Sequence, residues 1–402
     1  MINGHSALLL GLTAGRPRNQ LVWQLEPDRF FHTYLIGSTG TGKTTLLKSF
    51  VLQNASMNSG LCLLDPHGDL AAEIAAVLPP SKTLYWNVAD ADAGLAFNPL
   101  KRVSKEYRTL AASGMLEAMM HRWEKAWGNS QEHILRNCFL ALLEAPQAQL
   151  SDVLRLLDDE PFRATVLSAV TNQRVLDFWR KEFASYPPRQ RMEAIKPIQT
   201  KIGAFLADPL LQHIFDGGRK SISFREAMDE GKIIIINLAK GRLGSDTSGL
   251  LGALIVSTLG LAAFSRADTP EPERKPFFIY ADEFQNFATK SFEFMLSELR
   301  KYQVGIVLAH QYLSQLSVSL RDAVLGNTGT IVVFRVGASD ALFLSRNFEP
   351  EFRGIDLSRL PNHRAYTRLM INGAPSKPFA LKTLTAGQAA AIRRNPFAEA
   401  RP

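Results

Sequence analysis

The sequence predicts an α/β fold with a mostly parallel sheet, interrupted by an all-helical insertion. Three observations lead there. Six short apolar runs, at residues 33–36, 61–64, 233–238, 277–281, 304–309 and 330–336, alternate with helix-like stretches. Continuous Val/Ile/Leu runs of this length suit strands buried on both faces of a parallel sheet. Strand–helix alternation implies right-handed crossovers. Between about residues 99 and 224 the strands stop and helical periodicity takes over, as at 110–127 and 132–143. A hydrophobic content of 46% and a charged content of 21% over 402 residues are those of a folded chain rather than a disordered one.

The expected division follows. Residues 1–98 and 225–385 form the two parts of the α/β domain, 99–224 the helical insertion and 386–402 a basic tail. The earliest apolar run, 7–12, is too short to span about 30 Å of hydrocarbon and lacks the basic lead of a signal peptide. The apolar run 249–264 is broken by Gly252 and Gly260 and reads as a buried helix, so no transmembrane helix is expected. Cys62 and Cys138 lie far apart in apolar and helical runs. They read as buried thiols in a reducing cytosol, with no disulfide framework and no metal pattern.

The net charge is +8, and from Arg353 onward nine Lys or Arg face only Asp356 and Glu399. Such a basic end favours phosphate backbones or an anionic membrane surface; the plainer alternative is a solvated tail. The insertion is nearly balanced, 18 basic against 14 acidic, with a local run of Arg189, Arg191, Lys196 and Lys201 against Glu193. Trp123, Trp127 and Trp179 are expected in its core.

The strongest chemical signal is Gly37-Ser38-Thr39-Gly40-Thr41-Gly42-Lys43-Thr44, with Thr45 next. It follows a strand and opens a helix, the setting of a phosphate-binding loop. Glycines let backbone N–H groups curl round phosphate, and the helix N-terminus adds a positive dipole end. Lys43 is expected to reach the β- and γ-phosphates of ATP, and Thr44 to offer Mg²⁺ a hydroxyl. The strand at 277–281 ends in Asp282-Glu283. At the carboxyl edge of an open sheet, Asp282 would hold Mg²⁺ and Glu283 would orient the attacking water, the positioning that phosphoryl transfer needs. The strand at 304–309 ends in His310-Gln311; Gln311 is favoured as γ-phosphate sensor, with helix capping as the alternative. Arg300 or Lys301 could deliver a cation to a neighbouring subunit's phosphate, although an Arg at a helix end also suits the dipole. Asp65-Pro66-His67-Gly68-Asp69 reads as turn chemistry at the same edge, with Asp65 in reach of metal or water.

The segments GSTGTGKTTLL, LCLLDPHGDLA, FFIYADEFQNF and ELRKYQVGIVLAHQ, in this order and spacing, resemble the HerA/FtsK superfamily, and within it conjugative coupling proteins of the TraG/TraD kind. The resemblance implies a RecA-like P-loop NTPase domain using ATP and Mg²⁺. It implies a homo-oligomer, a hexameric ring with DNA in its pore, and Arg300 acting in trans. It also implies relaxase or secretion-channel partners. Without a membrane span, contact with the inner membrane is expected only through partners. The expected function is an ATP-hydrolysing DNA translocase in conjugative transfer; the alternatives are a secretion or pilus ATPase and an ATP-gated recruitment platform.

Overall fold

The computed structural model describes residues 6–15, 19–57, 59–101, 103–122, 128–215 and 220–394. The chain divides into two compact units. One holds residues 1–85, 225–238 and 266–402, the other 86–224 and 239–265.

The first unit is built on an eleven-stranded sheet. In chain order its strands are β1 (Ala7–Thr13), β2 (Leu21–Leu25), β3 (Thr33–Ile36), β4 (Gly60–Asp65), β5 (Thr83–Asn87), β6 (Ile233–Asn237), β7 (Phe277–Ala281), β8 (Val304–His310), β9 (Thr330–Val333), β10 (Arg364–Arg368) and β11 (Phe379–Thr383). Their spatial order is β2-β1-β11-β10-β9-β3-β8-β7-β4-β6-β5. The block β9-β3-β8-β7-β4-β6 is parallel throughout. These six strands are the six apolar runs of the sequence, and the expected α/β class with a mostly parallel, RecA-like sheet is the one found. The strands β3, β4, β7, β8 and β9 are buried along their whole length. Such strands carry no alternation because both faces are covered.

The expectation did not include the antiparallel flank. β10 pairs with β9, β11 with β10, β1 with β11 and β2 with β1, all antiparallel. The run 7–12 is therefore a strand rather than an isolated apolar segment.

The helix Lys43–Ala55 covers the parallel block. Its Leu46, Leu47, Phe50 and Val51 pack into a cluster with Leu35, Leu63, Phe278, Val307 and Val332. Burying each such side chain is worth about 1.5–3 kcal/mol. At its far end Arg29, fully buried, donates to Tyr280 Oη at 2.9 Å and to Asn54 Oδ1, and stacks 3.4 Å over the Phe278 ring. The guanidinium thereby ties helix to sheet through Tyr280, Asn54 and the Phe278 ring.

Residues 386–394, grouped with 395–402 as a tail from sequence, form the helix Ala386–Arg394, with Ala389 and Ile392 buried. Arg393 donates to Ala7 O at 2.7 Å and to Gln53 Oε1 at 3.2 Å. Part of the C-terminal basic excess is thus built into the sheet and its cover: Arg364 and Arg368 bound β10. Residues 395–402 lie outside the described residues.

Among its described residues the second unit is helical apart from the end of β5 and a two-residue parallel pairing of Leu95–Ala96 with Lys220–Ser221. The helices Arg108–Arg122 and Asn129–Leu142 occupy the two periodic stretches. Trp179 is buried among Phe178 and Phe183; Trp123 and Trp127 lie outside the described residues. The helix Lys240–Phe264 also groups with this unit, beyond the sequence limits of 99–224. It packs against Arg108–Arg122, where Gly114 leaves room for Ser257: a Cβ on Gly114 would lie 2.0 Å from Ser257 Oγ. That helix is long and apolar enough to cross a membrane by composition, and 78% of the apolar window is buried in the protein.

Candidate nucleotide-binding site

Parallel strands bring their carboxyl ends to one edge of the sheet, and here four of them meet round one cleft. The loop after β3, the Asp65 turn after β4, Asp282-Glu283 after β7 and Gln311 after β8 all line a cavity of about 420 Å³.

The loop after β3 is shaped by its glycines. Gly40 and Gly42 have φ of +76° and +112°, a region that L side chains rarely adopt. Gly37 sits so close to the end of β9 that a Cβ would lie 2.5 Å from Phe334 Cβ. Thr41 is buried, and its hydroxyl donates to Ser38 O at 2.7 Å. Of the expected phosphate-loop residues, Ser38, Thr39, Gly40, Gly42, Lys43, Thr44 and Thr45 line the cleft, whereas Gly37 and Thr41 set the loop's shape from behind. Thirteen helical residues begin at Lys43, so the amide ends and dipole of a full helix point into the cleft.

Lys43 is nearly buried and its Nζ lies 3.1 Å from Glu283 Oε1. The same oxygen accepts from Gln311 Nε2 at 3.1 Å, and Thr39 Oγ1 donates to Gln311 Oε1 at 3.1 Å. Gln285 Nε2 donates to the other Glu283 oxygen at 2.7 Å. Glu283 itself stands at φ +43°. A non-glycine residue held in the left-handed region costs of order 1–3 kcal/mol and concentrates at functional sites. Burial raises the Glu283 carboxyl, but the Lys43 cation and the Gln285 and Gln311 hydrogen bonds outweigh it, so its pKa lies below the ordinary value.

Asp282 behaves in the opposite way. Burial pushes its pKa up to about 7; Lys43 pulls it down, while Glu283 and Asp65 push it further up. Its Oδ1 accepts Glu283 N at 3.0 Å. The Asp65 carboxylate takes His67 N and Ala71 N, each at 2.9 Å, capping the helix Asp69–Ala75 as an Asx turn does. Two neighbouring carboxylates with pKa values driven apart offer separate chemical roles.

The donor set suits a hard cation: the Thr44 hydroxyl and the Asp282 carboxylate line one cleft, and oxygen donors are what Mg²⁺ takes. A buried carboxyl raised to about 7 is also one that a divalent cation would return to its ionised form.

His310 and Gln311 separate cleanly. His310, the last residue of β8, is buried, its Nδ1 lying 3.2 Å from Tyr34 Oη, and burial lowers its pKa to about 3. It is a neutral core residue, and Gln311 is the one that faces the cleft. Arg300 is elsewhere. It precedes β8, whose seven residues span about 20 Å at roughly 3.3 Å each, so it stands at the opposite edge of the sheet. Its guanidinium lies 3.5 Å over the Phe31 ring and lines a different cleft with Asp28 and Asn372. Lys301 is exposed and paired with Glu298 at 2.7 Å.

Two residues escaped the sequence reading: Gln285, which bonds the Glu283 carboxylate from beside the cleft, and His363, which lines it. Gln285, two residues after Glu283, was legible in principle as a polar neighbour. His363 was not: it reaches the loop only because the chain returns from β9 to β10, and its N–H donates to Thr41 O at 2.8 Å.

Comparison with known proteins identifies the family and the fold. A family model described as the type IV secretion-system coupling protein DNA-binding domain matches residues 21–342. No curated protein matched the chain by sequence. Among solved structures, the plasmid coupling protein TrwB in complex with the non-hydrolysable GTP analogue GDPNP is 15% identical, with a TM-score of 0.66 over 89% of this chain and 86% of that one. The bacterial conjugative coupling protein TrwBdeltaN70, in an unbound form, is 15% identical with a TM-score of 0.68 over 90% and 87%. VirB4 of Thermoanaerobacter pseudethanolicus is 13% identical with a TM-score of 0.65 over 97% and 99%. At these identities the structural likeness is one of fold, and the family model carries the assignment: the chain belongs to the type IV secretion-system coupling protein family, by its DNA-binding domain.

Proposed function

We propose that this protein is an ATP-hydrolysing motor that binds and translocates DNA in conjugative transfer through a type IV secretion system. The observation that carries the reading is the convergence of Lys43, Asp282, Glu283 and Gln311 on the phosphate loop in one cleft.

The roles follow from position. Backbone N–H groups of Gly37–Thr45 and the Lys43 ammonium hold the phosphates. Thr44 and Asp282 would hold Mg²⁺, which would neutralise charge on the phosphates when bound. Glu283, kept ionised, orients and polarises the water, and Gln311 links it to the phosphate loop. Arg300, about 20 Å from this edge by strand length, acts on the site of a neighbouring copy, which supports a ring, a hexamer by resemblance. Relaxase or channel proteins are the proposed partners. The proposed location is the cytoplasmic face of the inner membrane, reached through those partners.

The decisive test is the ATPase rate with and without single- and double-stranded DNA. Stimulation by DNA is expected. Turnover indifferent to either form would instead indicate a secretion ATPase, and binding without turnover a recruitment platform.

A further inference from the structure

We infer that His363 holds the nucleoside end of the bound nucleotide, an inference that rests on the nucleotide assignment above. His363 stands at φ +60°, in the left-handed region, and both its backbone groups are tied down. Its N–H donates to Thr41 O at 2.8 Å, and its carbonyl accepts from Thr383 N at 3.1 Å. The residue is thus clamped between the phosphate loop and β11. Its ring packs on Gly42: a Cβ there would lie 2.7 Å from His363 Nδ1 and 3.4 Å from its Cε1. The absence of a side chain at Gly42 therefore serves two ends, its φ of +112° and the seating of this ring. The imidazole lines the same cleft as Lys43 and Thr44. Its nitrogens have no hydrogen-bond partner among the described residues, so a ring held in place by its backbone still has its polar edge to offer.

The cleft has a direction. Asp282, Glu283 and Gln311 come from β7 and β8, on one side of β3. They surround Lys43 and mark the terminal-phosphate end. His363 comes from the connection of β9 to β10, on the other side of β3. A nucleotide with its γ-phosphate among Lys43, Glu283 and Gln311 runs across the first turn of the helix Lys43–Ala55, and its ribose and base arrive at His363. A flat ring with a hydrogen-bonding edge suits a nucleoside.

The test compares two ligands on the full chain with Mg²⁺ present: ATP, and inorganic tripolyphosphate, which has the phosphates without the nucleoside. The variant is His363→Asn, because Asn tolerates the left-handed conformation as His does while removing the ring. His363→Asn is expected to weaken ATP about 10-fold, the scale of one ring–base contact, and to leave tripolyphosphate affinity unchanged. Retained tripolyphosphate binding also shows that the cleft is intact. Wild-type ATP affinity in the variant overturns the inference, and so does an equal loss of both ligands, which would put the contact on phosphate or on loop shape. Lys43→Ala separates the two levels: it should lose both ligands, and if it keeps both, the nucleotide assignment fails rather than the role of His363.

Discussion

Asp282→Asn should stabilise the ligand-free protein, and the gain should depend on pH. The Asp282 carboxyl is raised by burial from 3.8 to about 7, and in the unfolded chain it returns to the lower value. Between those limits the folded state holds a proton that the unfolded state has lost, so stability falls as pH rises from about 4 to about 7. At 1.36 kcal/mol per pH unit the full span amounts to about 4 kcal/mol. Asn cannot ionise, yet its Oδ1 can still accept Glu283 N as Asp282 does, so the replacement removes the titration and keeps the hydrogen bond. Urea unfolding of both proteins from pH 4 to pH 9, without nucleotide or divalent cation, measures the difference. Near pH 4 the two should be alike; by pH 8 the variant should be ahead by up to about 4 kcal/mol. The order should then reverse with ligand. Mg²⁺ and ATP at one hundred times the dissociation constant should add about 2.7 kcal/mol to the wild type and much less to the variant, which lacks the charge. A difference that stays flat with pH would refute the claim that burial governs this carboxyl.

Lys43→Ala should abolish ATP binding and hydrolysis and leave the thermal unfolding transition in place, since Glu283 keeps its Gln285 and Gln311 bonds; normal turnover would remove Lys43 from the site. Glu283→Gln should bind Mg²⁺ and ATP but turn over about 10²–10⁴-fold more slowly, and loss of nucleotide binding in equilibrium titration would show that its role is something else. Arg300→Ala should bind ATP normally and hydrolyse it poorly, and mixing it with Lys43→Ala should restore part of the ATPase rate. A mixture that stays inactive where mixed rings demonstrably form would count against action in trans.

The parallel block was legible because its strands are buried on both faces, so β3, β4, β7, β8 and β9 are unbroken apolar runs. The antiparallel flank hid for the complementary reason. β2 and β10 alternate between buried and half-buried positions, and RAYTR carries too much charge to look like a strand. The apolar run of the helix Lys240–Phe264 announced burial, but not which neighbours bury it; the fit of Ser257 against Gly114 is a tertiary fact with no local sequence signal. At the site, Lys43, Thr44, Asp282 and Glu283 sit in motifs whose chemistry demands fixed spacing. His363 sits in none, because it reaches the cleft from the end of the connection between β9 and β10.

The two edges of the sheet bear directly on how many copies make a working unit. A parallel sheet gathers its loops at one edge, and the side chains that line the cleft there belong to one chain: Lys43, Asp282, Glu283, Gln311 and His363. Arg300 lies at the other edge, beyond the start of β8, stacked on Phe31 and exposed. An arginine side chain cannot cover the roughly 20 Å of strand between the two, and no rearrangement short of breaking β8 would bring it round. An exposed cation held against an aromatic ring is, however, already ordered for an anion presented from outside. If Arg300 takes part in hydrolysis, it does so on another copy, and the arrangement then sets a concentration dependence: activity per chain should rise as copies associate, since stabilisation of the transition-state charge arrives only with the neighbour.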